Sequence, residues 1–172
     1  MVFSSTVRKL FLTAHVTCSV GWSGAVAVFL ALTVVGTTSP DAHTARGAYL
    51  LMAPAARLVL LPLALASLLT GIAQSLGTSW GLFRHYWVVF KLVLTLFAVA
   101  VLLTYMETFD AMARVAADPE SDLSLVRNAS PGLHAGLALL LLLVTTVLAV
   151  FKPRGLTPYG WRKQGQGSAP AE

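Results

Sequence analysis

Four stretches of this chain run for about twenty residues or more with almost no charge, near residues 10–35, 48–76, 86–109 and 133–151. A hydrocarbon core of about 30 Å takes roughly twenty apolar residues of helix to cross. Inside that core no water is available to the backbone, so each segment must satisfy its own N–H and C=O groups, as a helix does. The chain is 56% hydrophobic and only 11% charged, against about 25% charged in soluble domains. These features predict an all-α fold, a four-helix transmembrane bundle running up-down-up-down. Residues 1–151 form one domain and 152–172 a basic tail. The 172 residues leave no room for a separate soluble module. The single cysteine, Cys18, excludes an internal disulfide. The first apolar stretch is too long for a cleavable leader.

Turn-forming residues separate the spans. Gly36-Thr-Thr-Ser-Pro40-Asp41 ends the first, Gly77-Thr-Ser-Trp-Gly81 the second, and Asp118-Pro119-Glu120-Ser-Asp122 marks an acidic connection after the third. Asn128-Ala-Ser130-Pro131 supplies an N-cap and a first-turn proline before the fourth. Pro62 is expected to kink the second helix. The tail is expected to be disordered after Trp161. Basic residues are unevenly shared between the two ends. Arg8, Lys9, Arg84, Lys152, Arg154, Arg162 and Lys163 fall on one side, and Arg46, Arg114 and Arg127 on the other. The bias puts both termini in the cytoplasm, with the protein a multi-pass component of the bacterial inner membrane. The net charge of +5 therefore reads as orientation and not as nucleic-acid binding. Lipid is the implied surrounding. Small residues in the helices permit homo-oligomer contacts or a partner subunit.

Polar residues inside the spans carry the functional information. Lys91 lies in His85-Tyr-Trp-Val-Val-Phe-Lys91-Leu-Val-Leu. At a helix centre a lysine costs about 2.5–3.5 kcal/mol on insertion scales, so it must snorkel or face a partner. His15 holds a similar place in the first span, and His15, Cys18, Ser19 and Trp22 share one helix face. His15 reads either as a packing residue bonded to a neighbouring helix or as an axial haem or metal ligand. Arg84, Trp87, Lys91 and Thr95 align in the third span. Arg84 and Lys91 read either as lipid-facing cations or as anchors for an anionic group such as a haem propionate, and Lys91 alternatively as a desolvated catalytic base. In the second span Arg57, Ala64, Ser67, Gly71 and Gln74 form a stripe. Arg57 is expected to pair with Glu107 as a structural ion pair. His43, Met52, Met106, Met112 and His134 fall in the outer half and suit Cu(I), although no tight spacing concentrates them. No Walker, HExxH, GxGxxG or nucleophile-elbow pattern occurs.

Three runs carry a resemblance: Thr13-Ala-His15-Val-Thr-Cys-Ser-Val-Gly21-Trp22-Ser-Gly24, Leu63-Ala-Leu-Ala-Ser-Leu-Leu-Thr-Gly71, and Trp80-Gly-Leu-Phe-Arg84-His-Tyr-Trp87-Val-Val-Phe-Lys91. Over roughly residues 10–110 they resemble an uncharacterised family of small actinobacterial four-helix membrane proteins. The order of histidine, Leu-Leu-Thr-Gly and Trp…Lys is also similar, more distantly, to haem-binding membrane protoporphyrinogen IX oxidases and to copper-resistance D-type membrane proteins. The oxidase resemblance implies b-type haem, with His15 and Lys91 matching its helix-one histidine and helix-three lysine. Trp22-Ser-Gly24 stands in for its aromatic-glycine pair. The fourth span and the acidic loop lie outside the resemblance. Three functions follow as expectations: haem-linked electron transfer or porphyrinogen oxidation, a non-enzymatic accessory or scaffold subunit, and copper or small-solute transport.

Overall fold

The structure is a computed structural model and describes residues 3–166. Among those residues four helices are long and apolar enough to cross a membrane. Helix α1 spans Ser5–Thr38. Helices α2 (Ala42–Ala55) and α3 (Leu61–Leu76) are joined by a π-helical turn, Ala56–Leu60, into one continuous second span. Helix α4 is Tyr86–Ala117. A 3₁₀ turn at Leu123–Leu125 precedes α5, Ser130–Phe151. A short α6, Pro158–Gln166, follows.

The helices outrun the apolar segments that announce them, most of all at the start of α2 and the end of α4. Apolar sequence marks the depth of hydrocarbon, whereas a helix needs only its own backbone bonds and can continue into the polar layer. Caps decide the true ends. Asp41 accepts from His43 N at 3.3 Å, Thr44 N at 2.9 Å and Thr44 Oγ1 at 2.6 Å. The Thr44 hydroxyl and then its amide hold the Asp41 carboxyl below the usual carboxylate range. Asn128 Oδ1 accepts from Ser130 N at 3.0 Å, one residue outside the α5 cap.

The π turn is where the prolines act. Pro62 lacks the N–H that would bond the carbonyl four residues back, and Pro54 lies inside α2. The ladder between them widens, giving a bulge in place of a simple kink.

Helix α1 packs on α2, α3 and α5, and α4 packs on α2, α3 and α5. The first and third spans are therefore diagonal, touching across the axis through Phe29 and Phe109, whose rings are 5.2 Å apart. Around them the core collects Trp22, Val26, Tyr49, Met52, Met112 and Leu142. Met52 and Met112 are buried in this core, whereas His43 is exposed. Outward faces stay apolar, with Leu58 77% and Phe151 76% exposed, as a lipid environment requires.

At the end holding the first and third connections, Arg46 bonds five backbone carbonyls between Val115 and Ser121. Arg127 Nη2 donates to Ser39 O at 2.8 Å. The Ser121 and Ser124 hydroxyls are the leading cause of the lowered pKa values of Asp118 and Asp122.

At the other end the tail forms a strap. Tyr86 N donates to Gly155 O at 3.3 Å and Thr157 N to Arg84 O at 3.1 Å. Thr157 Oγ1 donates to Phe83 O at 2.6 Å and accepts from Gly160 N at 3.1 Å, capping α6. The expected disorder after Trp161 is thus corrected through Gln166, and residues 167–172 lie outside the described part. A Cβ at Gly160 would lie 2.3 Å from Arg84 O, a backbone atom that cannot swing aside. Gly160→Ala should therefore release the strap, raising tryptic cleavage at Arg154 about tenfold while leaving the melting of the bundle unchanged. An unchanged cleavage rate would mean that the strap is not held by this approach.

Candidate functional site, a basic cleft between the helix ends

The network that positions His15 begins with a tautomer. Its Nδ1 lies 3.0 Å from Ser67 O and 3.2 Å from Thr70 Oγ1. A carbonyl oxygen can only accept, so Nδ1 carries the proton. Thr70 Oγ1 donates to Ala66 O at 2.6 Å, leaving its oxygen to accept from His15. Nε2 is then a lone-pair position with no hydrogen-bond partner among the described residues. Ser19 Oγ donates to His15 O at 2.7 Å and meets Ser67 Oγ at 2.9 Å, which ties α1 to α3. The imidazole rests on Gly71, where a Cβ would lie 2.9 Å from His15 Cε1. The stripe of Ala64, Ser67 and Gly71 is the seam of this contact. Ala64 and Ser67 are buried, and Gly71 meets the ring.

His15 lines a cleft of about 710 Å³ between α1, α3, α4 and α5. Arg8, Lys9, Lys91 and Lys152 line it too, and no Asp or Glu does among the described residues. Lys91 Nζ stands 5.8 Å from the Trp87 ring centre, and Lys152 Nζ 5.4 Å from that of Trp80. The two indoles meet edge to face at 5.5 Å. Trp87 is 8% exposed, and its Nε1 is buried with no acceptor. The rim is apolar and faces outward, with Val20 67% and Val150 69% exposed. Serine and threonine hydroxyls fill much of the remaining wall.

His15, Lys91 and Trp22 therefore line one cleft, His15 and Lys91 from the diagonal helices α1 and α4. Trp22, 2% exposed, forms the floor and separates the cleft from a small apolar cavity that reaches Tyr105 and His134.

Arg84 does not join them. Its side chain turns under the strap, with Nη1 3.4 Å from Ser79 O, and it is absent from the cleft lining. Helical alignment with Lys91 is lost because α4 begins only at Tyr86, so Arg84 precedes the helix.

Arg57 likewise pairs with Asp110 and not with Glu107. The π turn adds the equivalent of one residue and rotates Arg57 by about 100° off its stripe. Asp110 lies three residues beyond Glu107, on a neighbouring position of the same helix face.

Lys152, Trp80 and the start of α1 were missing from the sequence-based site. Lys152 sits at the α5 C-cap with φ +44°, a left-handed conformation that aims it away from the helix path. Trp80 in the second connection and a lysine ending the fourth span were the available signal, but only tertiary contact joins them.

Among the described residues no three His, Cys, Asp or Glu side chains gather as a metal site. No family model, curated protein or solved structure matches the chain.

Proposed function

We propose that this is a multi-pass protein of the bacterial cytoplasmic membrane that holds a flat, apolar, anion-bearing cofactor in its basic cleft, with b-type haem the candidate. The orientation proposed is an up-down-up-down bundle with both termini cytoplasmic. Its support is that Arg8, Lys9 and Lys152 line the cleft and Arg84 lies beside it under the strap, while Arg46 and Arg127 bind the opposite loops.

The observation that carries the reading is His15. A ligating imidazole characteristically donates its other ring N–H to a carbonyl, which fixes tautomer and orientation. His15 does so to Ser67 O and keeps Nε2 unbonded. The cleft's volume falls within the 300–1,000 Å³ typical of cofactor sites. Lys91 and the α1 cations would neutralise carboxylates in a leaflet where an unpaired charge is costly. Haem, when bound, supplies one-electron chemistry. The residues here bind, orient and neutralise. Electron transfer and porphyrinogen oxidation are the reactions this arrangement would serve, the second with Lys91 at the substrate.

A second reading, an accessory or scaffold subunit, draws on the same network, because Ser19, Ser67 and Thr70 also use His15 to join α1 to α3. Absorption spectra of detergent-purified protein, oxidised and dithionite-reduced, separate the two. The haem reading expects a sharp Soret band near one haem per chain, falling at least about tenfold in His15→Ala. A flat spectrum from folded protein, unchanged on adding hemin, would remove haem and leave the scaffold role.

A further inference from the structure

We propose that the mouth of the cleft, where Lys91 of α4 and Lys152 at the end of α5 lie behind an apolar rim from α1 and α5, binds the phosphate of an anionic phospholipid entering from the surrounding leaflet. This goes beyond the haem reading and does not rest on it: both use Lys91 of the same cleft, but only the haem reading needs His15.

The first support is unmet hydrogen-bonding capacity. Trp87 Nε1 is a donor in a side chain more than nine-tenths buried, and it has no acceptor. A buried donor left unmade costs about 1–3 kcal/mol, so such a group points to an acceptor that binds there. The second is unmet charge. Lys91 lies one turn further along the same helix, and Lys152 lines the same cleft from the end of α5. Neither pairs with a carboxylate, because the ion pair among the described residues is Arg57 with Asp110. Each ammonium instead lies against an indole ring. These cation–π contacts leave part of each ammonium's donor capacity for an oxyanion.

The third support decides what carries the oxyanion. The rim of the cleft is made by Leu12, Val16 and Val20 of α1 and Val150 of α5, all exposed towards lipid. A soluble anion gains nothing from such a rim. An acyl chain can lie along it while the headgroup phosphate reaches the lysines. Basic pockets between transmembrane helices at the positively charged side recognise lipid headgroups by this combination. Charge and shape together select a lipid with net negative charge over a zwitterionic one.

The test titrates the purified full-length protein, in non-ionic detergent, with phosphatidylglycerol, phosphatidylcholine or inorganic phosphate. Native mass spectrometry counts retained lipid, and tryptophan emission follows occupancy. The expected result is one retained phosphatidylglycerol, at least about tenfold weaker retention of phosphatidylcholine, and no displacement by millimolar phosphate. Lys91→Gln and Lys152→Gln should each weaken retention about fivefold, and the pair about thirtyfold. Trp87→Phe keeps the ring and removes the donor, and should weaken it about tenfold. Lys163→Gln, on exposed α6, should leave retention unchanged. Equal retention of both lipids, displacement by inorganic phosphate, or full retention in the double lysine variant would each overturn the proposal. A flat visible spectrum would sink the haem reading alone, while loss of lipid preference with an intact Soret band would sink this one alone.

Discussion

Arg46→Ala is expected to lower the stability of the bundle by about 3 kcal/mol, the largest effect of any single substitution at a polar side chain here. The guanidinium reaches from α2 to the end of α4. Its Nη1 donates to Val115 O at 3.2 Å, Ala116 O at 3.4 Å and Asp118 O at 2.6 Å. Its Nη2 donates to Pro119 O at 3.0 Å and Ser121 O at 2.7 Å. The last carbonyls of a helix have no partners within it, and α4 has no side-chain or glycine cap of its own. Arg46 satisfies several of them at once and also fixes the turn that follows. Removing it leaves the part-buried Val115 and Ala116 oxygens unpaired where α2 packs on α4, and hands the exposed Asp118 and Pro119 oxygens to water. At about 2–4 °C per kcal/mol, the melting temperature in detergent should fall by roughly 6–12 °C. Arg46→Lys should recover only part of this, because one ammonium cannot span the carbonyls that a planar fork reaches. An Arg46→Ala protein melting within about a degree of the parent would show that water replaces these bonds without loss.

The second large effect is expected in the core, where Gly36 meets Tyr49. A Cβ at Gly36 would lie 2.8 Å from Tyr49 Cζ and 3.0 Å from Cε2. Tyr49 is 1% exposed, so its ring has nowhere to retreat. Overpacking of this kind costs about 1–3 kcal/mol, and Gly36→Ala should sit in that range. The phenol adds a diagnostic, since Tyr49 Oη is buried without a partner. Tyr49→Phe should therefore be neutral or stabilising. Tyr49→Leu combined with Gly36→Ala should be less destabilised than the sum of the single variants, because the smaller side chain makes room for the methyl. Strict additivity in thermal unfolding would show that the contact is not the source of the cost.

Legibility differed by residue. The four spans could be read because hydrophobic length responds directly to bilayer thickness. His15 and Lys91 could be picked out because a polar side chain in an apolar run is costly without a purpose. That they line one cleft follows from the diagonal placement of α1 and α4, which apolar periodicity leaves open. Arg57 and Arg84 were misplaced for a related reason. Both assignments extrapolated an ideal helix, one through a π turn and the other beyond a helix start. Arg46 counted only as charge in a loop-side tally, since its partners are backbone atoms some seventy residues away and carbonyls have no sequence signature.

By itself, then, the sequence determined the class of fold, the number of spans and the few intramembrane polar residues, because all three follow from the cost of moving groups out of water into lipid. Only the tertiary structure decided which of those residues meet. It placed Lys152 and Trp80 at the cleft mouth, turned Arg84 away beneath the strap, and gave Arg57 to Asp110. Each of these depends on register and rotation between helices. Packing and backbone irregularity set those quantities, and a period of 3.6 residues carries no record of them.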